Sequence, residues 1–480
     1  MTAETVDLLV IGGGMAGLTA AAHMAAEGGS VVLVEKAERT GGSARFAGFV
    51  WTTPTVEEMR RVNPDGDPAL AAALVDGFAD GVEWIRSLGV ECRPPVPVLG
   101  FGRGHQLDTN HYLDTCERLI RRRGQEVLTA TGTRSLVTEN GAVKGAECLL
   151  PDGSVRRIEA AWTLLATGGF QGDPSLRAEH VHPRAADIGL RANPHSRDDG
   201  LTLGRTAGAA FGKKDAGFYG HLMPAGVSLA DPARFVDLAL YYSEHALLFD
   251  TTGERFVDET LGDHLTAMAL LERPQGRGLL VADARVHREW ISASYVEGIP
   301  GVDKFQLCHR AGARSAVADS LTDFASMPEE WGYPGATIRD RIKEFNAGAS
   351  EGVAATPGRL LDHRPLDEPP FYVVEAAPAI TFTFGGLLID AGAHVLSADP
   401  AGLTGPSMGT DSDSDSSMNM GMGPGGDRVG QGAVPGLLAA GADAGGLYRR
   451  AYAGGLAPAL VFGLTAARTA LTESPTTLAR

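Results

Sequence analysis

A glycine-rich turn near the start of the chain restricts the fold more than any other feature. Gly12, Gly14 and Gly17 form the pattern Gly-x-Gly-x-x-Gly between an apolar run at Asp7–Ile11 and an alanine-rich segment at Leu18–Glu27. The first glycine permits a tight turn, the second lets backbone approach a pyrophosphate, and the third lets a helix pack on a strand. The pattern therefore predicts a strand, a turn and a helix whose N-terminus faces a dinucleotide.

A second predicted strand, Val31–Val34, ends at Glu35. The carboxylate of Glu35 falls where it can accept hydrogen bonds from a ribose diol, which favours an adenosine cofactor without a 2′-phosphate. A further glycine pair, Gly41 and Gly42, is followed by Ser43. This pair predicts another close approach of the backbone to the same cofactor, and a glycine-rich surface loop is the alternative.

Length and charge restrict the class of protein. With 480 residues the chain is too long for one ordinary core, so we expect two domains. A formal net charge of −17 argues against nucleic acid and anionic membranes as partners. The basic triplet at 121–123 precedes Gly124, and it most simply places cations at a helix C-terminus.

Cysteines and apolar runs predict the compartment. Four scattered cysteines without a Cys-x-x-Cys pair predict neither a zinc ribbon nor a dithiol centre. The first strand begins almost at once, and no apolar run reaches membrane-spanning length. We therefore expect a cytoplasmic protein with no signal peptide.

The opening segment, Val6–Gly48, resembles the flavin-binding start of the fumarate reductase and succinate dehydrogenase flavoprotein superfamily, which also contains the 3-ketosteroid dehydrogenases. Members with covalent flavin use a histidine in this neighbourhood. Because no histidine lies between Lys36 and Gly48, the resemblance implies noncovalent FAD. Later segments around Thr167, Asp199 and Asp443 resemble other flavin-binding parts of the same superfamily, and Asp199 is also placed to cap a helix.

The resemblance implies a full set of cofactor contacts. Asp443 would meet the ribityl hydroxyls, and the amides after Gly454 would meet the pyrimidine edge of the flavin. The residues expected to bind FAD are Gly12, Gly14, Met15, Ala16, Gly17, Glu35, Lys36, Gly42, Ser43, Ala166, Thr167, Gly168, Asp199, Asp443, Gly454, Gly455 and Leu456.

The same resemblance implies an α/β fold: a Rossmann-like FAD-binding domain of the two-dinucleotide-binding type with an inserted α+β capping domain. We expect residues 1–216 to form the first part of the FAD-binding domain, 217–370 the substrate-capping domain and 371–480 the second part. Alternating segments between 126 and 159, with a turn at Asp152-Gly153, predict a β meander. A stretch rich in Asp, Ser, Met and Gly at about 404–432 predicts a flexible insertion, and its mixed ligands disfavour a metal site.

Three positions depart from the dicarboxylate reductases of the superfamily. Those reductases place a catalytic arginine where this chain has Asp263, a histidine where it has Phe382 and a second arginine where it has Tyr452. Ketosteroid dehydrogenases also have a tyrosine at this last position. The substitutions disfavour fumarate or succinate as substrate and place the chain nearer the ketosteroid dehydrogenase branch.

These residues lead to a hypothesis about the reaction. The phenol of Tyr452 and a backbone amide can polarise a ketone, Asp263 or His264 can remove the α-proton, and a hydride can leave the β-carbon for flavin N5. We therefore predict desaturation or reduction of a carbon–carbon bond next to a carbonyl in a mainly apolar or cyclic substrate. Candidate substrate contacts are Phe382, Phe384, Tyr241, Tyr242, His105 and Arg450.

Alternatives stay open at this point. The aromatic candidates can equally be packed core residues, His105 a surface histidine, and Arg449 and Arg450 solvated cations or the holders of an anionic substrate. A flavin oxidase of an alcohol or amine, or a flavoprotein without catalysis that serves a partner, are competing functions. No second Gly-x-Gly-x-x-Gly is present, which disfavours a pyridine-nucleotide reductase, and the electron donor or acceptor and the oligomeric state stay undefined.

Overall fold

The structure, a computed structural model, describes residues 5–212, 214–293, 301–351, 356–398 and 432–475. The predicted insertion at 404–432 lies outside the described residues, apart from residue 432. The chain divides into two compact units. Unit 1 comprises Met1–Phe170, His195–Ala216 and Phe384–Arg480, and unit 2 comprises Gln171–Pro194 and Gly217–Thr383.

Unit 1 contains an eight-stranded sheet that carries the glycine motif. Five strands are parallel, in the order Glu126–Leu128, Val31–Val34, Val6–Ile11, Val155–Leu165 and Ala433–Ala439. The other three are antiparallel to their neighbours: Gly132–Glu139, Ala142–Leu149 and His394–Leu396. The parallel order confirms the Rossmann-like α/β prediction, and the antiparallel hairpin that continues into Val155–Leu165 confirms the β meander.

The helices of unit 1 follow the sequence pattern closely. The helix after the glycine turn, called here the opening helix, begins at Met15 rather than at the predicted Leu18. Gly17 therefore lies inside its first turn. The helix that contains Arg121 and Arg122 of the basic triplet ends at Arg122, with Arg123 and Gly124 just beyond it, so the cations lie at a helix C-terminus as predicted. The helices are Met15–Ala26, Val56–Val62, Pro68–Ser87, Thr109–Arg122, Asp199–Thr206 and Leu456–Thr472, the last called here the closing helix.

Two small sheets complete unit 1. Their strands are Phe49–Thr52, Val96–Val98 and Gly102–Gln106 in one, and Leu387–Leu388 and Ala444–Gly445 in the other. The four cysteines of the chain are free and buried. Within the described residues, no helix combines the length and apolar character that crossing a lipid bilayer requires.

Unit 2 is organised around one long strand, Phe371–Thr383. This strand pairs with four others: Gly189–Leu190, Phe218–Pro224, Gly278–Ala282 and Ser315–Ala318. Leu247–Asp250 adds to the sheet beside Gly278–Ala282. The helices are Pro174–His180, Phe235–Leu238, Asp263–Glu272, Ala284–Val286, Lys304–Arg310 and Gly335–Glu351.

The pairing of this long strand explains where unit 2 begins and ends. Its main block starts at Gly217, the residue predicted for the capping domain, but continues to Thr383 instead of ending at 370. The extension follows because Phe371–Thr383 is the central strand of the sheet. Gln171–Pro194 also belongs to unit 2, since Gly189 and Leu190 pair in parallel with Ala379 and Ile380. The substrate-capping role of this unit stays a prediction.

A buried histidine ties the end of the closing helix to the sheet of unit 1. His394 Nδ1 lies 3.0 Å from Asp390 Oδ2, and His394 Nε2 lies 3.1 Å from Glu473 Oε2. The ring also packs against Trp162 at a centroid distance of 5.6 Å. Burial lowers the pKa of His394, but the hydrogen bonds and charges of the two carboxylates outweigh burial and raise it overall.

We expect this contact to stabilise the fold in a pH-dependent way. Because the pKa of His394 is raised above the unfolded value of about 6.5, its stabilisation is complete below that pH and is lost as the pH rises through the folded pKa. The substitution His394→Gln should therefore lower the melting temperature more at pH 6 than at pH 9. Thermal unfolding of both proteins at the two pH values measures the difference, with His111→Gln on an exposed helix surface as the control. An equal loss at both values would contradict the charged contact.

Candidate active site

The glycine turn of unit 1 combines two closely packed positions with one open position. Gly12 has φ +106°, and a Cβ atom there would lie 2.2 Å from the carbonyl oxygen of Ala166. A Cβ at Gly17 would lie 1.9 Å from the oxygen of Gly12, whereas a Cβ at Gly14 would meet nothing within 4 Å. The opening helix has no capping side chain and no acid in its first turn. This arrangement fits a pyrophosphate, which would approach Gly14 and the helix amides.

Glu35 is held rigidly at the end of the second strand. Its side chain is buried, and its two carboxylate oxygens accept hydrogen bonds from Gly13 N and Ala37 N, both at 2.8 Å. A carboxylate has about four lone-pair sites, so these two bonds leave acceptor capacity on both oxygens. The geometry therefore fits the predicted ribose diol of an adenosine cofactor.

Asp443 joins distant parts of unit 1. Its Oδ1 accepts from Thr167 Oγ1 at 3.0 Å and from Gly169 N at 2.9 Å, and its Oδ2 accepts from Thr167 N at 2.5 Å. A Cβ at Gly200 would lie 2.4 Å from the same carboxylate. Burial raises the pKa of Asp443, and the hydrogen bonds from Thr167 and Gly169 oppose that rise. Asp443 therefore fixes the loop at 167–169, in addition to its predicted contact with the ribityl chain.

Lys36 and Asp199 form an ion pair with each other. The prediction that Asp199 caps a helix is wrong by one residue. Asp198 occupies the N-cap position, while Asp199 lies in the first turn of Asp199–Thr206. The acid is favourable there because of the helix dipole, and its carboxylate is turned toward Lys36. The FAD contacts of both side chains stay predictions.

An aromatic cluster surrounds Tyr452 at the start of the closing helix. The ring of Tyr452, buried in unit 1, packs edge-on against Trp51 at 5.3 Å and is parallel to Phe384 at 6.4 Å. Tyr448 donates a hydrogen bond of 2.8 Å to the oxygen of Gly454. Gly454 has φ +103°, and a Cβ there would lie 1.9 Å from the oxygen of Trp51. Only glycine permits this contact between the last signature and the strand Phe49–Thr52.

The remaining predicted cofactor residues lie in these same loops. The closing helix begins at Leu456, with Gly455 at the N-cap and no capping side chain. A Cβ at Gly441 would lie 3.3 Å from the Cβ of Ala16, which brings the last signature to the opening helix. Met15, Ala16 and Ala166 are buried, and Gly42 and Gly168 have positive φ. Ser43 follows Gly42 in a short helical turn.

Unit 2 contains a buried histidine and carboxylate in direct contact. His221 Nδ1 lies 2.6 Å from Asp263 Oδ2, and both side chains are less than 10% exposed. Burial would raise the pKa of Asp263, but the charge and hydrogen bond of His221, followed by the charges of His264 and Arg191, lower it overall. Burial lowers the pKa of His221, against the attraction of Asp263. At neutral pH the pair therefore consists of an ionised Asp263 and a neutral His221 that donates its Nδ1–H, leaving Nε2 to exchange a proton.

Two further titratable groups lie near this pair. Burial raises the pKa of Glu244 to about 8, and the negative charge of Asp263 adds to the rise. Burial lowers the pKa of His264 to about 4. Glu244 is therefore a protonated acid at neutral pH, while His264 is uncharged. The two groups that the sequence offered as alternative bases thus differ: Asp263 is ionised and paired with His221, and His264 resists protonation.

Aromatic rings and one cation surround the His221–Asp263 pair in unit 2. Tyr219 contacts the rings of His221 at 4.8 Å and Phe382 at 5.4 Å. Tyr241 packs edge-on against His221 at 5.2 Å, and its hydroxyl accepts a hydrogen bond of 3.0 Å from Arg191 Nη2. Phe382 and Tyr241, two of the predicted substrate contacts, are thereby brought to the same cluster.

Other predicted substrate residues lie elsewhere. Tyr242 belongs to the apolar core of unit 2, which supports the core-packing alternative. His105 Nδ1 lies 2.7 Å from the backbone oxygen of Arg93 in a small sheet, also a structural arrangement. Phe384 lies in unit 1 beside Tyr452, and Arg450 is exposed with its backbone N–H bonded to another loop. Among the described ranges, no group of three or more His, Cys, Asp or Glu side chains is arranged to hold a metal ion.

Sequence reasoning missed four residues of these sites: Trp51, Arg191, His221 and Glu244. A lone histidine within the otherwise apolar strand Phe218–Pro224 was the one available signal. The other three lie in segments without a recognisable motif, and only the fold gives them their neighbours.

The parallel sheet, the glycine turn and the fixed Glu35 define unit 1 as the dinucleotide-binding part of a flavoprotein. A family model described as "FAD binding domain" matches residues 7–456, and the chain belongs to that family. Its cofactor is FAD, and it is an FAD-dependent oxidoreductase of the predicted superfamily.

Similar proteins fall into two groups. A fumarate reductase (cytochrome) of Shewanella frigidimarina is 25% identical over 82% of this chain and 70% of its own length. A urocanate reductase of Eggerthella lenta is 24% identical over 83% of this chain and 68% of its own. A solved 3-ketosteroid-delta4-(5alpha)-dehydrogenase from Rhodococcus jostii has a TM-score of 0.73 at 17% identity, over 98% of this chain and 97% of that chain. The nearer branch stays a prediction, because the structural likeness at this identity shows the fold alone.

We expect two neighbouring glycines to respond differently to alanine. Gly14→Ala should leave the apoprotein as stable as the wild type but weaken FAD binding about tenfold or more, because the Cβ enters the open space at the turn. Gly12→Ala should instead destabilise the fold by about 1–3 kcal/mol or prevent folding, since φ is positive and the carbonyl of Ala166 is too close. Thermal unfolding of the apoprotein and FAD titration separate the effects. Unchanged FAD affinity in Gly14→Ala would contradict the pyrophosphate assignment.

Proposed function

We propose that this oxidoreductase acts on a carbon–carbon single or double bond next to a carbonyl group. When bound, FAD supplies a two-electron acceptor or donor for hydride. The observation that carries the proposal is the buried pair of His221 and Asp263, because hydride transfer to or from such a bond requires a matched proton transfer at the α-carbon. The reductases and dehydrogenases among the similar proteins support the same type of reaction.

Asp263 and His221 have different roles in the proposed proton transfer. Asp263 fixes the tautomer of His221 by accepting the Nδ1–H, and it stabilises the imidazolium that forms when Nε2 takes up a proton. Removal of the α-proton by Nε2 accompanies loss of a hydride from the β-carbon and gives the double bond. In the opposite direction His221 protonates the α-carbon after hydride has reached the β-carbon. Asp263, which the sequence hypothesis offered as a base, is thus a positioning residue that acts through His221.

Tyr452 keeps its proposed role as the group that polarises the carbonyl oxygen. Its ring packs against Trp51 and Phe384 in unit 1, which restricts the movement of the side chain before reaction. An ionised Asp263 would repel a carboxylate at the position where dicarboxylate reductases bind one, which disfavours a diacid. The substrate we propose is therefore mainly apolar, and the rings of Tyr219, Tyr241 and Phe382 favour a cyclic body.

Anaerobic flavin spectroscopy tests the proposal. FAD in the purified protein is photoreduced and then mixed with cyclic enones, α,β-unsaturated acids and their amides; in the reverse experiment the oxidised protein is mixed with the saturated compounds. We expect reoxidation or bleaching by members of this class and no response to simple alcohols and amines. A flavin that responds only to alcohols, amines or molecular oxygen would overturn the proposed reaction.

We expect Asp263→Asn to lower turnover about 100-fold or more while FAD stays bound, because the amide no longer holds the required tautomer of His221. Proton removal by wild-type His221 should slow as the pH falls through its pKa, which burial places below the usual value. Proton delivery should instead slow as the pH rises through the same pKa. Stopped-flow rates between pH 4.5 and 9 measure this dependence.

Two variants of unit 2 serve as controls for that measurement. Asp319→Asn, at an exposed position, should leave the rate unchanged. His264→Asn should retain the pH dependence, since His264 stays neutral across most of the range. Loss of the pH dependence in His264→Asn but not in Asp263→Asn would assign the proton transfer to His264 instead.

A further inference from the structure

Arg191 is a buried cation whose bonding is incomplete. It follows the short strand Gly189–Leu190, and its backbone N–H donates to the oxygen of Ile380 on the central strand. The guanidinium donates from Nε to the oxygen of Phe235 at 3.3 Å, from Nη1 to Thr381 Oγ1 at 3.5 Å and from Nη2 to Tyr241 Oη at 3.0 Å. All three acceptors are neutral.

The charge of Arg191 has no close partner in the described part of the chain. The residue is only 6% exposed, yet Arg191 forms no ion pair within 4.0 Å with a carboxylate of the described residues. Burial of a charge without a counterion is costly, and it is normally avoided by pairing. A guanidinium carries five N–H groups, so three bonds leave one N–H on each terminal nitrogen. Two such N–H groups match the two oxygens of a carboxylate.

This cation lies beside the proposed proton-transfer pair. Tyr241 bridges them, because its hydroxyl binds Arg191 and its ring packs against His221 at 5.2 Å. The positive charge of Arg191 also acts on both members of the pair, and it contributes to lowering the pKa of His221 and of Asp263. Because Asp263 is already occupied by His221, it does not serve as the close counterion of Arg191.

The surroundings of Arg191 limit what else the anion can carry. The guanidinium lies over the ring of Phe235 at 5.6 Å, and Tyr219 and Phe382 form an aromatic contact in the same cluster. These rings favour an apolar or cyclic body. One unpaired cation balances one carboxylate, whereas a diacid would require a second.

We propose that Arg191 binds the single carboxylate of the substrate, which is then an α,β-unsaturated monocarboxylic acid, or its saturated counterpart, with an apolar or cyclic body. The inference rests on the proposed function and narrows its substrate class. Arg191 acts here as a specificity-determining residue. Its structural alternative is a clamp that only attaches the segment at 235–241 to the central strand.

Matched pairs of acids and amides distinguish these roles. The probes are acrylate, crotonate and trans-cinnamate, each compared with its carboxamide, and 3-phenylpropionate compared with 3-phenylpropanamide. Binding to the FAD-loaded protein is measured by calorimetry and by flavin difference spectra, and turnover by reoxidation of the photoreduced flavin. The variants are Arg191→Gln, which removes the charge, and Arg191→Lys, which keeps it without the two-pronged geometry. Arg184→Gln is the control, because Arg184 also lies in unit 2 and also donates to backbone oxygens.

We expect the wild type to bind at least one acid more tightly than its amide. In Arg191→Gln the affinity for that acid should fall roughly 10- to 100-fold, the loss of a charge-assisted bidentate contact, while the affinity for the amide changes little. Arg191→Lys should be intermediate, and Arg184→Gln should match the wild type. A purely structural clamp would lower the melting temperature and weaken acid and amide equally.

Two results would overturn the inference. They are an unchanged ratio of acid to amide affinity in Arg191→Gln, which includes equal weakening of both ligands, and no acid that the wild type prefers over its amide. If Arg191→Gln does not fold, the comparison of wild type with Arg191→Lys decides. Failure of the proposed function is a separate result: acids then bind through Arg191, but neither acids nor enones reoxidise the flavin.

Discussion

The FAD site depends on the register of four parallel strands in unit 1. Ile11 pairs with Val34 on one side and with Leu165 on the other, and Leu165 pairs with Ala439. Because the strands are parallel and end at the same level, the loops that follow them meet at one edge of the sheet. The residues that leave this edge are Gly12, Glu35, Ala166 and Ala440. Segments separated by more than 400 positions in the chain are thereby brought together before any side chain contributes.

Asp443 converts this shared edge into a fixed surface. Its carboxylate accepts two backbone N–H groups and one hydroxyl from the loop at Thr167–Gly169, and it packs against Gly200 from a third segment. Such loops carry unpaired backbone N–H groups, and a buried N–H without a partner costs about 1–3 kcal/mol. The carboxylate of Asp443, in the last signature of the chain, therefore satisfies hydrogen-bond donors of the distant loop at Thr167–Gly169. The last signature of the chain therefore has a structural role, while its contact with the cofactor stays a prediction.

The sequence predicted the features that depend on residues close together in the chain, and it missed those that depend on residues far apart. Gly12 and Gly17 are required by close contacts with residues nearby in the chain or in the adjacent strand. The glycine pattern therefore predicted the turn, the opening helix and the cofactor class correctly. His221, Arg191 and Phe382 come together differently. Tyr219 pairs with Phe382, His221 pairs with Ala379, and the N–H of Arg191 bonds to Ile380, all through one strand more than 150 residues away. No local pattern encodes that pairing, so Arg191 could not be selected from sequence, and His221 was marked only as a lone histidine in an apolar strand.

The ionisable groups of unit 2 support the proposed chemistry by the way in which burial and charge separate their pKa values. Asp263 is held ionised by its partner, while nearby Glu244 is held protonated, with a pKa raised by burial to about 8. Two carboxyl groups whose environments separate their pKa values can serve as proton acceptor and proton donor at one pH. A unit selected only for stability would replace such a cluster by apolar side chains, since buried ion pairs seldom repay their desolvation. In the proposed function, the substrate would complete the cluster of Arg191, His221, Asp263 and Glu244 with its charge and its proton.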